Sequence, residues 1–176
     1  MPHGGYNAAY HVQLASDPHS RAIVGVEVSN QGSEAAGLSG PMREQVERRS
    51  GRVVQQQLLD GGYLRHADIE RAQEQGVELF VPPKGARTEK NRGPELQPRE
   101  RDSEAMRAWK QRMSSLEGQE IYKQRAATSE TINADLRSYR GLTQITVRGL
   151  YKARCVALWC ALAYNILHFA TALLKS

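Results

Sequence analysis

Leu58-Leu59-Asp60-Gly61-Gly62-Tyr63 decides the fold. The stretch from Val53 to Leu59 runs into an acid, then two glycines, then an aromatic residue. A run of this kind predicts a strand that stops abruptly. Paired glycines let the backbone turn where a Cβ would clash. Asp60 is therefore expected at the carboxyl end of a strand, facing the crevice where α/β sheets bind ligands and metals. Asp-Gly is also an ordinary turn signal, so the functional reading needs support from a second stretch.

Upstream, residues 6–14 alternate. Tyr6, Ala8, Tyr10, Val12 and Leu14 fall on one face, and Asn7, His11 and Gln13 on the other. A period of two predicts a strand with one buried face. Asp17-Pro18-His19-Ser20 reads as a turn, and Ala22 to Val28 alternates again with Val24, Val26 and Val28 on one side. An antiparallel hairpin over 6–28 follows. Ser33 is placed as an N-cap with Glu34 in the first turn, predicting a helix to about Arg49 and its end at Gly51.

Downstream, Asp68 to Gln75 predicts a short helix stopped by Gly76. Val77 to Val81 predicts a strand ended by Pro82-Pro83. Lys84 to Asp102 is charged and Pro/Gly-bearing, with Leu96 nearly its only apolar residue, and reads as a solvated, disordered loop. Ser103 caps a helix to about Leu116 carrying Ala105, Met106, Trp109 and Met113. Gly118 interrupts, and a second helix runs from Gln119 to about Tyr139. The order of elements is that of an α/β protein.

The segment from about 149 to 174 reads as a C-terminal packing helix. Cys155 to Leu174 is long enough to span a membrane. Asn165, His168 and Thr171 inside it favour a helix packed on the rest of the domain.

A length of 176 residues suits one domain. The net charge of +5 and pI of about 9.4 are mild and compatible with a nucleic-acid partner. Cys155 and Cys160 have no zinc or redox spacing, and His3, His11, His19, His66 and His168 form no ligand pair. The cysteines read as buried apolar residues of an intracellular protein, which sets the expectation of a cytoplasmic location. The first residues carry no signal-peptide pattern.

The second decisive stretch is Tyr122-Lys123-Gln124-Arg125-Ala126-Ala127-Thr128-Ser129-Glu130. On a helix Glu130, Asn133 and Arg137 share a face, with Arg140 near it. Alone, this is a solvated charged face. Asp60-Gly61-Gly62-Tyr63 followed by Tyr122, Arg125 and Glu130 resembles bacterial insertion-sequence transposases of the DDE class. The pieces Tyr6-Asn7-Ala8, Ile23-Val24-Gly25, Val28 to Ser33, Val81-Pro82-Pro83-Lys84 and Arg148-Gly149-Leu150 with Ala157-Leu158-Trp159 agree in order and spacing, over nearly the whole chain.

The resemblance implies an RNase H-like fold, a mixed five-stranded sheet flanked by helices. It makes Asp60 the second catalytic acid and Glu130 the third, both ligands of Mg²⁺ or Mn²⁺. Tyr122, Arg125, Asn133, Arg137 and Arg140 become DNA-binding residues. Paired metals on carboxylates suit in-line displacement at phosphorus. The implied partners are DNA at transposon ends and a second copy of the chain or a full-length transposase. The sequence departs from the pattern at the strand of the first acid, since only five residues precede the hairpin. Asp17, in the hairpin turn, is the remaining candidate third ligand, and Glu34 stands where the family tends to have Asp. The expectation is a transposase domain lacking its first strand: a fragment of a strand-cleaving and strand-transferring enzyme that is inactive alone, or a non-catalytic DNA-binding or regulatory remnant. Within 121–154, seven Lys/Arg stand against Glu130 and Asp135, a balance suited to phosphate contacts.

Overall fold

The computed structural model describes residues 10–30, 39–63, 65–83 and 96–175. The elements are β1 (His11–Ser16), β2 (Ile23–Ser29), α1 (Ser39–Ser50), β3 (Gln56–Leu58), a 3₁₀ turn (Gly61–Tyr63), α2 (His66–Glu74), β4 (Glu78–Phe80), α3 (Glu104–Ser114), α4 (Leu116–Tyr139), α5 (Leu150–His168) and α6 (Ala170–Leu173). The chain is a mixed α/β protein. The proposed cap at Ser33, the first turn at Glu34, strand residues 6–9 and most of the charged loop (84–95) lie outside the described residues.

β1 and β2 form the antiparallel hairpin, with Val12 opposite Val28 and Leu14 opposite Val26. The alternation expected for β2 slips by one residue at its start. Ile23, rather than Val24, joins Val26 and Val28 in the core, because the register shifts between Ala15 and Ser16. A bulge there puts two residues of one strand opposite one of the other and reverses which side chain faces inward.

Among the described residues the sheet expected from the sequence is two two-stranded sheets, β1-β2 and β3-β4. On β2, side chains take up backbone groups that a further strand would use. The Asn165 amide accepts from Ile23 N–H at 2.9 Å and donates to Ile23 C=O at 2.8 Å, while Gln45 Oε1 accepts from Val26 N–H at 2.8 Å. Edge groups occupied in this way are closed to strand addition. β3 and β4 pair parallel over three residues, Gln56 opposite Glu78 to Leu58 opposite Phe80. The strand expected from Val53 begins late. Val53 is exposed, and Val54 N–H donates to the Glu47 carboxylate.

The described residues form two apolar cores. The first gathers Ile23, Val26 and Val28 of β2 with Ile132 and Leu136 of α4 and Ala153, Ala157, Cys160 and Tyr164 of α5. The second gathers Ile69 and Ala72 of α2, Leu79 and Phe80 of β4, Val81, Leu96, and Met106, Trp109 and Met113 of α3. Trp109 buries its ring there and donates Nε1–H to Val81 C=O at 3.1 Å, so its polar edge carries no unpaired cost. Residues 96–102, expected in the solvated loop, are folded: Leu96 is buried, and Asp102 accepts from Lys110 Nζ at 2.6 Å. Of the two cysteines, Cys160 is buried but Cys155 is only partly covered, contrary to the expectation for both.

The break between α3 and α4 falls at Ser115 rather than at Gly118. Ser115 Oγ accepts from Gly118 N–H at 3.0 Å and donates to Arg112 C=O at 2.8 Å, ending one helix and starting the next. Gly118 is needed for a different reason. A Cβ there would fall on the Arg112 carbonyl oxygen. Gly118→Ala is expected to lower stability by about 1–3 kcal/mol, the usual cost of overpacking, despite alanine's better helix propensity. A urea midpoint unchanged or raised would contradict this junction.

Candidate functional site

The parallel pair β3-β4 brings two strand ends together. Leu59 N–H donates to Phe80 C=O at 2.8 Å, so Asp60 emerges beside Val81-Pro82-Pro83. The chain then turns at once. A Cβ on Gly61 would meet Pro82 Cγ at 3.3 Å, so glycine permits the close approach of the two strand ends. Asp60 thus lies at the carboxyl end of a parallel pair, as the opening stretch of sequence predicts.

The partner of Asp60 comes from α4. Arg125 Nη2 reaches Asp60 Oδ2 at 2.7 Å. The Arg125 guanidinium also stands 5.9 Å from the centre of the Tyr122 ring, within cation–π range. Tyr122 packs against the second core, and Ser129 Oγ donates to Arg125 C=O at 2.8 Å. Three residues placed in the site by sequence, Asp60, Tyr122 and Arg125, therefore meet. Their pairing is the part that sequence reasoning missed, because sequence separation carries no signal for an ion pair across 65 positions.

Glu130 does not share this arrangement. Five residues beyond Arg125, it lies about 140° around the helix and roughly 7.5 Å further along it. It is exposed, as are Asn133 and Arg137, so the shared face read from the sequence is a solvent face of α4. Arg140 leaves that group: its Nε donates to Asp135 Oδ1 at 3.0 Å, and its carbonyl accepts from Cys160 Sγ. Burial pushes the Cys160 thiol up, with Arg140 acting weakly in the opposite direction.

Asp17 serves the hairpin turn. Its carboxylate accepts from Ser20 N–H at 3.0 Å, from the Ser20 hydroxyl, and from His19 N–H at 3.4 Å. Burial acts to raise the Asp17 carboxyl, but these hydrogen bonds and the His19 charge outweigh it and hold it below 3.8. Among the described residues, no three of His, Cys, Asp and Glu gather into a metal-holding group. A pair of divalent ions needs neighbouring carboxylates on hard oxygen ligands. Asp60 is paired with a guanidinium, and no third acid among the described residues joins it and Glu130, so the residues described do not make up a two-metal centre.

The profile of the transposase DDE domain family matches residues 1–166. The chain belongs to this family. Membership carries a transposase-type function, and the family generally uses divalent metals. No curated protein and no solved structure matches the chain. No helix among the described residues is long and apolar enough to cross a membrane.

The role of Asp17 can be tested by pH. Its folded carboxyl lies below its unfolded value, so its contribution to stability is complete above about 3.8 and is lost as pH falls through the lower folded value. Asp17→Asn is expected to lose less stability than the wild type between about pH 5 and about pH 2. An identical fall in melting temperature for both proteins would remove Asp17 from the turn.

Proposed function

We propose that this transposase-family chain engages DNA through phosphate contacts and does not cleave it unaided. The observation that carries this reading is the Asp60–Arg125 ion pair at the strand ends. One Asp60 oxygen holds the Arg125 guanidinium, which keeps a phosphate-binding cation at the strand ends. The pair is open to water on the Asp60 side, which is 60% exposed. Exposed ion pairs are weak, of order 1 kcal/mol or less. A DNA phosphate, which takes two parallel bonds from a guanidinium, can therefore replace Asp60 as the partner of Arg125.

Arg137 and Asn133 stand on the solvent face of the same helix and offer further donors to the backbone of a strand. Arg140, tied to Asp135, serves the fold more than the DNA. Asp60 and Glu130 are the acids through which Mg²⁺ or Mn²⁺ would act in the family's strand cleavage and transfer. An antiparallel hairpin followed by a parallel pair supports an RNase H-like ancestry for the sheet.

The test uses the purified chain and DNA carrying the ends of the element that encodes it. Binding is expected to weaken steeply with salt, and Arg137→Ala to reduce the slope of log K against log salt by about 1. With Mg²⁺ or Mn²⁺ added, no strand cleavage is expected. Salt-independent binding contradicts the phosphate reading. Cleavage abolished by both Asp60→Ala and Glu130→Ala contradicts the inactive reading and would join the two acids in one working centre.

A further inference from the structure

Arg125 is held more firmly than the acid it faces. Its guanidinium lies 5.9 Å from the centre of the Tyr122 ring, and Tyr122 packs against the second core. The Arg125 side chain is 26% exposed and that of Asp60 60%. Arg125 rises from within a 24-residue helix, whereas Asp60 follows a strand end and precedes Gly61 and Gly62. When the two part, the carboxylate swings into water and the cation stays beside the ring. The contact is also single. Arg125 Nη2 reaches Asp60 Oδ2 at 2.7 Å, and among the described residues neither the rest of the guanidinium nor Asp60 Oδ1 takes a further hydrogen bond. A guanidinium is a planar fork of donors, and its strong pairing with a carboxylate or a phosphate uses two parallel bonds. Here donors of the fork are left over.

An anion that meets the unused donors makes its first bond to Arg125 before Asp60 has left. A phosphate then completes the parallel pair of bonds and takes the carboxylate's place. The exchange is even in charge, because a backbone phosphodiester and an ionised carboxylate each carry a single negative charge. Two such anions side by side repel each other, so one of them must leave. Asp60 has an advantage of its own. It is tethered to the same fold and meets Arg125 at a high effective concentration. We propose that Asp60 is a built-in competitor for the phosphate site: it occupies Arg125 while DNA is absent and lowers the affinity for DNA through Arg125. This role rests on the phosphate-binding reading of the chain and adds the regulation of that site. It also sets an order of engagement. A strand already held at Arg137 and Asn133, on the solvent face of the same helix, presents a further phosphate to Arg125 at a high local concentration of its own. Arg125 therefore closes on a strand that is in place and takes little part in its capture.

The test is a double-mutant cycle of Asp60→Asn and Arg125→Gln in the full chain, with binding of DNA carrying the element's ends read by fluorescence anisotropy at low, fixed salt. Asp60→Asn is expected to tighten binding by about two- to fivefold, the span that an exposed ion pair allows. Arg125→Gln is expected to weaken it, and Asp60→Asn added to Arg125→Gln is expected to change nothing further. Asp60→Ala, which leaves no side-chain acceptor for Arg125, is expected to tighten binding as Asp60→Asn does. Both Asp60 variants are expected to keep the wild-type circular dichroism, since the site is open to water. Salt-sensitive binding that neither Asp60 variant tightens overturns the competitor role and leaves the phosphate reading standing. Equal tightening by Asp60→Asn with and without Arg125 also overturns it, because the acid would then act on DNA by long-range repulsion. Binding indifferent to salt overturns the phosphate reading itself, and the competitor role with it.

Discussion

Everything placed around Asp60 depends on one helix serving two cores. α4 contributes Ile132 and Leu136 to the core under β2 and α5. About three to four turns earlier, Ile121 and Tyr122 pack on the core around Phe80 and Trp109. Between these two anchors the helix is polar. Thr128, Ser129 and Thr131 turn their hydroxyls back to the carbonyls four residues before them, which satisfies them locally without adding apolar contact. With no continuous sheet among the described residues to join the two halves, this span ties them together with α1, which accepts from Val26 through Gln45 and reaches Gln57 through Arg43, and Arg125 sits within the span.

The chemistry follows from that placement. Strand pairing delivers Asp60 to the carboxyl end of a parallel pair. The helix then presents the face carrying Arg125, and Glu130 is turned away by helical geometry. Rotating the helix to bring Glu130 onto the face now held by Arg125 would pull Ile132 and Leu136 out of the first core. Burial of these two side chains is worth about 1.5–3 kcal/mol each, more than an exposed ion pair supplies. Packing, and not the ion pair, fixes the helix rotation and hence which residue faces the acid.

Much of this was legible in the sequence where local chemistry decides. Alternation at Tyr10, Val12 and Leu14 found the hairpin, and Asp60-Gly61-Gly62 found the abrupt end of a strand, because both are set by neighbours in the chain. The bulge that moved Ile23 inward left no mark, since it depends on how the turn at Asp17 closes. The side-chain cover on β2 was hidden as well, since Asn165 reaches Ile23 across 142 positions. In the candidate site, Asp60, Tyr122 and Arg125 were found as residues. Their mutual contact was not, and the sequence grouped Glu130 with Asn133, Arg137 and Arg140 by spacing alone. Spacing gave the correct solvent face for the first three, but could not show that Arg140 turns to Asp135.

The most direct test of the account is hydrogen exchange in an Ile132→Ala variant. Ile132 belongs to the first core and has no place in the second. Loss of a buried isoleucine costs about 2–5 kcal/mol. If α4 ties the cores into one unit, the amides of Val26 and Val28 and those of Leu79 and Phe80 will all exchange faster, by about thirtyfold or more. Faster exchange confined to β2, with β4 protected as in the wild type, would contradict the account, because the two cores would then open independently and Asp60 would owe its surroundings to the second core alone.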